Sequence, residues 1–142
     1  MATTHRLTID DARAYLAEHH RAVLHTYRRD GAPQLSPVAV GVDAEGRVII
    51  STRDTAMKTK NLERDPRAAV CAFPDAWTGR WLQVDGTVEI VRRPDAIEAL
   101  VDYYRRVAGE HPDWDDYRAA MDRDRRVLLR LTIERVGPTV SG

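Results

Sequence analysis

The chain has 142 residues, enough for one domain with a substantial hydrophobic core and too few for two ordinary ones. Lys plus Arg and Asp plus Glu number 22 each, so no overall field draws it to nucleic acid or to an anionic membrane, and any anion has to be gripped locally. The one cysteine, Cys71, excludes an internal disulfide and a cysteine-built zinc cage; with no N-terminal apolar run and no stretch near the roughly 20 apolar residues of a membrane span, the expectation is a soluble, cytoplasmic protein.

After a loose start over residues 1–6, Thr8 followed by Ile9-Asp10-Asp11 supplies an N-cap and first-turn acids for a helix ending near His20. From Arg21 the period changes to two, with Ala22, Leu24 and Thr26 alternating with Val23, His25 and Tyr27 up to a turn at Asp30-Gly31. A second strand is expected over residues 34–42, a turn at Asp43-Ala44-Glu45-Gly46, and a third strand over 47–52, the three forming an antiparallel meander. A short helix carrying Lys58, Lys60 and Asn61 follows, and Asp65-Pro66 ends it, because the residue before proline is pushed out of the α region. Strand four covers 67–73 and a loop covers 74–79. The next strand, 80–91, puts Leu82, Val84, Val88 and Ile90 on one face and Trp81, Gln83, Asp85, Thr87 and Glu89 on the other. Ile97, Leu100, Val101 and Tyr104 recur at helical spacing after Pro94-Asp95, a shorter helix holds Trp114, Tyr117 and Met121, and a last strand runs over 127–136. About six antiparallel strands with short helices between them define a mainly β, α+β single domain over residues 1–142, a closed or split β-barrel. Neither a dinucleotide-binding nor a P-loop glycine motif is present.

The segment from Ser51 to Asn61 is the one most suited to chemistry. A strand leads into a helix N-terminus, whose free N–H groups favour an anion, with Ser51, Thr52, Thr55 and Thr59 offering hydroxyls. Helical phasing groups Lys58, Asn61, Leu62 and Asp65 on one face; with Leu62 inward, Lys58 and Asn61 come to the rim, while Lys60, Glu63, Arg64 and Arg67 form a solvated charge face. The plainer reading of the same residues is a helix with ordinary surface lysines. Trp81, on the polar side of its strand, covers a partner subunit, a bound ring or a helix, with Trp77 beside it; both packing under the Trp114 helix is the structural alternative. The five histidines show no metal-binding spacing, so no metal is expected; His19-His20 read as a helix end, Cys71 as a core thiol, and Asp113, Asp115 and Asp116 as first-turn acids. No catalytic acid/base pair or Ser-His-Asp arrangement stands out.

Gly31-Ala32-Pro33-Gln34-Leu35-Ser36, Lys58-Thr59-Lys60-Asn61-Leu62 with Asp65-Pro66-Arg67-Ala68, Asp85-Gly86-Thr87, the block from Ala108 to Arg118, and Asp124-Arg125-Arg126-Val127-Leu128-Leu129 together carry a resemblance over nearly the whole chain. The chain resembles the flavin/deazaflavin oxidoreductase superfamily typified by pyridoxamine 5′-phosphate oxidase, and within it the actinobacterial PPOX-class coenzyme F420-dependent oxidoreductases. The resemblance implies an FMN-binding split-barrel fold and a homodimer with two cofactor sites at the interface. It implies that Lys58 and Asn61 hold the phosphate-bearing tail, that Ser36, Pro37, Val38, Ser51 and Thr52 back the ring, and that Trp77, Arg80 and Trp81 come from the facing subunit. The implied activity is hydride transfer from C5 of reduced deazaflavin to a conjugated small-molecule acceptor such as a quinone, enone or tetrapyrrole. FMN in place of F420, and a non-catalytic deazaflavin carrier, are the alternatives. Two departures from the pyridoxamine phosphate oxidases stand out: Met57 stands where they have an arginine gripping the FMN phosphate, which favours the deazaflavin, and the tail Arg135-Val136-Gly137-Pro138-Thr139-Val140-Ser141-Gly142 lacks their arginine- and histidine-containing substrate motif, which argues against oxidation of pyridoxamine phosphate.

Overall fold

The computed structural model describes residues 6–76 and 79–138. Helix α1 (Ile9–Glu18) opens on a capping box: Thr8 Oγ1 accepts from the Asp11 N–H at 3.0 Å and the Asp11 carboxylate accepts from the Thr8 N–H at 2.9 Å. Ala12 and Leu16, one turn apart, are its buried face. The helix stops short of His20, whose ring Nδ1 lies 2.7 Å from the Val40 carbonyl, while His19 is the C-cap.

Strand β1 (Arg21–Tyr27) buries Ala22, Leu24 and Thr26 and pairs along its length with β2 (Pro33–Ala39). The single strand expected over 34–42 is two. The chain bends at buried Val40, whose N–H donates to the His20 carbonyl at 2.8 Å, and β3 (Gly41–Val42) pairs instead with β4 (Val48–Arg53). Gly41 permits the close approach that follows, since a Cβ there would lie 3.2 Å from Val107 Cγ2. The meander therefore forms with one bent segment serving both neighbours.

Helix α2 (Met57–Arg64), β5 (Arg67–Ala72), β6 (Leu82–Val91), α3 (Ala96–Ala108), α4 (Trp114–Arg123) and β7 (Arg126–Gly137) complete the fold. The seven strands form one antiparallel sheet in the order β2-β1-β5-β6-β7-β4-β3. Its two edges, β2 and β3, are consecutive in the chain, so the sheet curls round on itself into a split barrel.

Two apolar clusters hold this shape. Leu24, Val48, Ile50, Val70, Val84, Leu129 and Leu131 fill the barrel; Ile49, Leu128, Leu100, Val101 and Tyr117 pack where α3 and α4 cover the outer face of β4 and β7. Both faces of β4 and β7 are thus covered, which accounts for the unbroken runs Val48-Ile49-Ile50 and Val127-Leu128-Leu129. β6 starts at Leu82, two residues later than its pattern suggested, and its ladder with β7 shifts register between Asp85 and Gly86, where Glu134 of β7 is the extra residue.

Candidate functional site

Helix α2 begins at Ala56, an N-cap that offers no side-chain acceptor, and its first turn contains no acid. Its first N–H groups are therefore left to attract negative charge. Pro66 ends it as expected, with the Asp65 N–H closing on the Asn61 carbonyl at 2.8 Å.

The faces of α2 differ from the helical phasing at several points. Thr59 is buried, and its hydroxyl donates to the Arg53 carbonyl at 2.7 Å, so it faces no anion. Asn61 lies inside rather than at the rim, with 1% of its surface exposed. Its Nδ2 donates to Thr26 Oγ1 at 3.1 Å and to Gln34 Oε1 at 3.2 Å. Arg64 is exposed, as expected, and in addition its guanidinium donates to Asn61 Oδ1 at 3.1 Å and to the Tyr27 carbonyl at 2.6 Å. The reason is that a buried amide needs a donor for its oxygen, and Arg64 is one turn away with the reach to provide it. Glu63 pairs with Lys60 and Arg92, and Arg67 with Asp65.

Beside this network lies an open cavity of about 740 Å³. Arg28, Arg29, Lys60 and Arg64 give it four cations against one carboxylate, Asp30, while Gln34, Asn61 and the exposed Met57 complete the lining. Such an excess of cations suits an extended anionic ligand.

Lys58 is half-buried, and its ammonium pKa is pulled below the usual value, first by burial and then by the Arg126 charge. Arg126, the first residue of β7, stands opposite Arg53, and its Nε is buried without a hydrogen-bond partner. Tyr103 on α3 donates its hydroxyl to the Ala39 carbonyl at 2.9 Å, tying the end of β2 to the helical layer; burial raises its pKa, partly offset by the Ser51 backbone and Arg126. Tyr117 donates to the Leu100 carbonyl at 2.9 Å, and burial pushes its pKa up to about 12.

β2 and β4 touch without ladder pairing, and this is the split of the barrel. Ser36, Val38 and Thr52 turn inward there, Ser36 and Thr52 buried; Ser51 is half-buried and Pro37 is exposed on the outer face. Met57, Lys58, Ser51 and Thr52 thus belong to the β4–α2 segment, with the Ser36–Val38 stretch of β2 across the split. Arg80 and Trp81 stand apart, at the opposite end of β1 and β5 from α2. The Arg80 carbonyl accepts from the Tyr15 hydroxyl at 2.5 Å, and Trp81 is 37% exposed. Trp77 lies outside the described residues. Trp114 packs against Tyr104, His111 and Tyr117 with the Arg105 guanidinium 4.7 Å from its ring centre, so it does not shelter Trp81. Asp113 caps α4 by accepting from the Asp116 N–H at 3.1 Å, as first-turn acids do. Among the described residues no group of three or more His, Cys, Asp or Glu side chains could hold a metal, and no helix is long and apolar enough to cross a membrane. Arg28, Arg29 and Tyr103 were not singled out from sequence, Gln34 and Arg126 entered only within the motifs of the resemblance, and Arg64 only as surface charge. A signal was available only for Arg126, a cation opening the strand that buries Val127-Leu128-Leu129.

A curled antiparallel sheet split between β2 and β4, with an uncapped basic helix leaving the strand at that split, defines the split-barrel class. The pyridoxamine 5′-phosphate oxidase family matches residues 8–139, and the chain belongs to that family. It is 32% identical over 136 residues to the F420H(2)-dependent biliverdin reductase of Mycobacterium tuberculosis, covering 94% of this chain and 89% of the relative. Among solved structures, a conserved hypothetical protein of Mycobacterium tuberculosis superposes with a TM-score of 0.77 at 24% identity, covering 96% of this chain and 86% of the other. An F420 reductase superposes at 0.68 with 23% identity, covering 88% of this chain and 94% of the other. These two likenesses support the fold.

Proposed function

We propose that the chain is an F420-dependent reductase that passes a hydride to a conjugated small-molecule acceptor of the tetrapyrrole, quinone or enone class. The observation that carries this reading is the 32% identity, over nearly the full length of both chains, to a reductase that uses reduced F420. The residues present fit such a cofactor. The α2 N-terminus is uncapped and free of acids, Lys58 stands beside it, and the neighbouring cavity holds four cations against one acid. Met57 adds an apolar side chain rather than a second charge on the helix.

When bound, reduced deazaflavin supplies the hydride from its C5. The chain's own residues bind and orient. Lys58 holds the phosphate, and Arg28, Arg29, Lys60 and Arg64 neutralise the rest of an anionic tail. Asn61 keeps Gln34 and Arg64 in place, and Ser36, Pro37, Val38, Ser51 and Thr52 form the wall behind the ring. Catalysis of this kind needs alignment and exclusion of water more than a side-chain acid, and solvent provides the proton that completes reduction of the acceptor. We further propose a homodimer whose partner contributes Trp77, Arg80 and Trp81 to each site. Leu35, 66% exposed on the outer face of β2, and the exposed Trp81 support that contact.

A cation about 4 Å from a phosphate oxygen contributes roughly 4 kcal/mol at an effective dielectric of 20, before desolvation. Lys58→Ala is therefore expected to weaken F420 binding at least tenfold, about 1.4 kcal/mol, with the fold intact. Titration of the wild-type protein and the variant with F420 and with FMN, followed by oxidation of reduced F420 with biliverdin, quinones and enones, tests the proposal. FMN binding much tighter than F420 transfers the activity to a flavin. Tight F420 binding with no turnover on any acceptor makes the protein a carrier.

A further inference from the structure

The arginines on and beside β7 are of two kinds. Arg125 lies 3.1 Å from the Asp54 carboxylate, Arg130 pairs with Glu89, and Arg135 lies 3.5 Å from Asp85. Arg126 makes no such pair among the described residues; its Nε, like that of Arg130, is buried with no acceptor, as is Asp54 Oδ1, but Arg130 and Asp54 each have an ion-pair partner and Arg126 has none. Lys58 likewise has no ion pair among the described residues, although it sits close enough for Arg126 to depress its affinity for a proton. Two tyrosine hydroxyls, of Tyr103 and Tyr117, also sense Arg126, and neither is an anion at neutral pH. Two half-buried cations, neither with a carboxylate partner among the described residues, are thus placed at the same end of the fold: Arg126 faces Arg53 in the last β4–β7 pair, and Lys58 lies in the first turn of the helix that leaves β4. Such an arrangement works against folding unless an anion completes it.

The backbone brings the pair to the same place as the helix terminus. Arg126 is paired with Arg53 at the end of the β4–β7 ladder. The Asp54 N–H donates to the Arg125 carbonyl at 2.9 Å, and the Ala56 N–H returns to the Arg53 carbonyl at 3.2 Å. α2 therefore starts a short turn after the ladder's last pair, Arg53 with Arg126.

We propose that Arg126 and Lys58 form a two-cation cradle for the phosphate of the bound cofactor, with Arg126 supplying from β7 the positive charge that Met57 does not supply from α2. The identity of the ligand rests on the F420 reading above; the cradle itself rests on the unpaired buried Nε and the placement of the two cations. A guanidinium reaching from a strand offers its fork to two phosphate oxygens, while the ammonium acts as a point charge. The cavity cations Arg28, Arg29, Lys60 and Arg64 stay free for other parts of the ligand.

The test uses inorganic pyrophosphate as the probe and F420 as the ligand. NMR of the Lys58 side chain in the wild-type protein is expected to show its pKa rising when pyrophosphate is added, because an anion between the cations relieves their repulsion. Arg126→Gln is expected to raise the Lys58 pKa without any ligand and to weaken pyrophosphate and F420 binding at least tenfold; Arg126→Lys is expected to restore part of that loss. A Lys58 pKa that moves neither with pyrophosphate nor with Arg126→Gln overturns the cradle, as does undiminished pyrophosphate and F420 affinity in folded Arg126→Gln. If Arg126→Gln does not fold, the wild-type titration and Arg126→Lys decide. Pyrophosphate binding that depends on both cations, with no binding of F420, leaves the cradle standing and removes the reductase reading.

Discussion

Replacing Asn61 by alanine separates a residue that holds the ligand from one that holds the site. Its side chain is 99% removed from solvent by the 1% exposure observed, and both polar atoms are in use. Asn61→Ala deletes two donated hydrogen bonds, to Thr26 and Gln34, and one accepted from Arg64. A hydrogen bond of this kind is worth about 1 kcal/mol, and stranding a buried partner costs about as much again. Thr26 is fully buried and takes that penalty, whereas Gln34 and Arg64 reach water. The loss is therefore about 2–4 kcal/mol of folding free energy, or a Tm lower by roughly 6–12 °C for a domain of this size. Urea unfolding followed by tryptophan fluorescence measures the first quantity and calorimetry the second. A change below about 0.5 kcal/mol, within the range of ordinary surface substitutions, together with a tenfold loss of F420 affinity, would refute the reasoning and make Asn61 a direct ligand contact.

Gly86→Ala is expected to cost more than about 3 kcal/mol or prevent folding, since the new Cβ would lie 1.9 Å from the Thr132 carbonyl oxygen at the β6–β7 bulge; soluble protein with unchanged urea midpoint contradicts this. Tyr117 has its pKa raised from 10.0 to about 12 by burial, so the stability it contributes is full below pH 10 and is lost as pH rises towards 12. Tyr117→Phe should lower stability by about 1 kcal/mol at pH 8 and flatten the decline between pH 10 and 12; guanidinium titrations across that range check it, and an unchanged slope counts against it. The Asp65 carboxyl is held down at about 2 from 3.8, chiefly by its hydrogen bonds with Arg67, so its contribution is present above pH 4 and disappears as pH falls towards 2. Asp65→Asn should therefore lower stability above pH 4 and flatten its decline between pH 4 and 2, and a difference persisting below pH 2 would point elsewhere.

Much of the fold was legible because local chemistry and tertiary role agree. Thr8 caps where its side chain can reach the next turn, Pro66 stops α2, and the alternation in β1 and β6 matches the faces they bury. Strand two was misread as continuous because Val40 and Gly41 continue its extended pattern; the bend exists only because His20 holds Val40 while β4 captures Val42. On α2 the phasing put Leu62 inward and Arg64 in solvent, as found, and misplaced Thr59 and Asn61, which are buried. Helical phasing gives angles around one axis, but cannot say which neighbour lies at each angle. Here Thr26, Gln34 and the Arg53 carbonyl arrive from β1, β2 and β4.

By itself the sequence determined the order and type of nearly every element, the resemblance to split-barrel oxidoreductases, and a basic helix start after a strand, because caps, prolines and period-two alternation act over a few residues. Only the tertiary structure decided that the sheet curls so that β2 and β3 become its two edges, that Asn61 is a buried link rather than a rim contact, and that Arg126 faces Arg53 at the strand end from which α2 leaves. Those three depend on long-range pairing: the β4–β7 ladder joins residues more than seventy positions apart, and no local pattern records which charge will be left there without a partner.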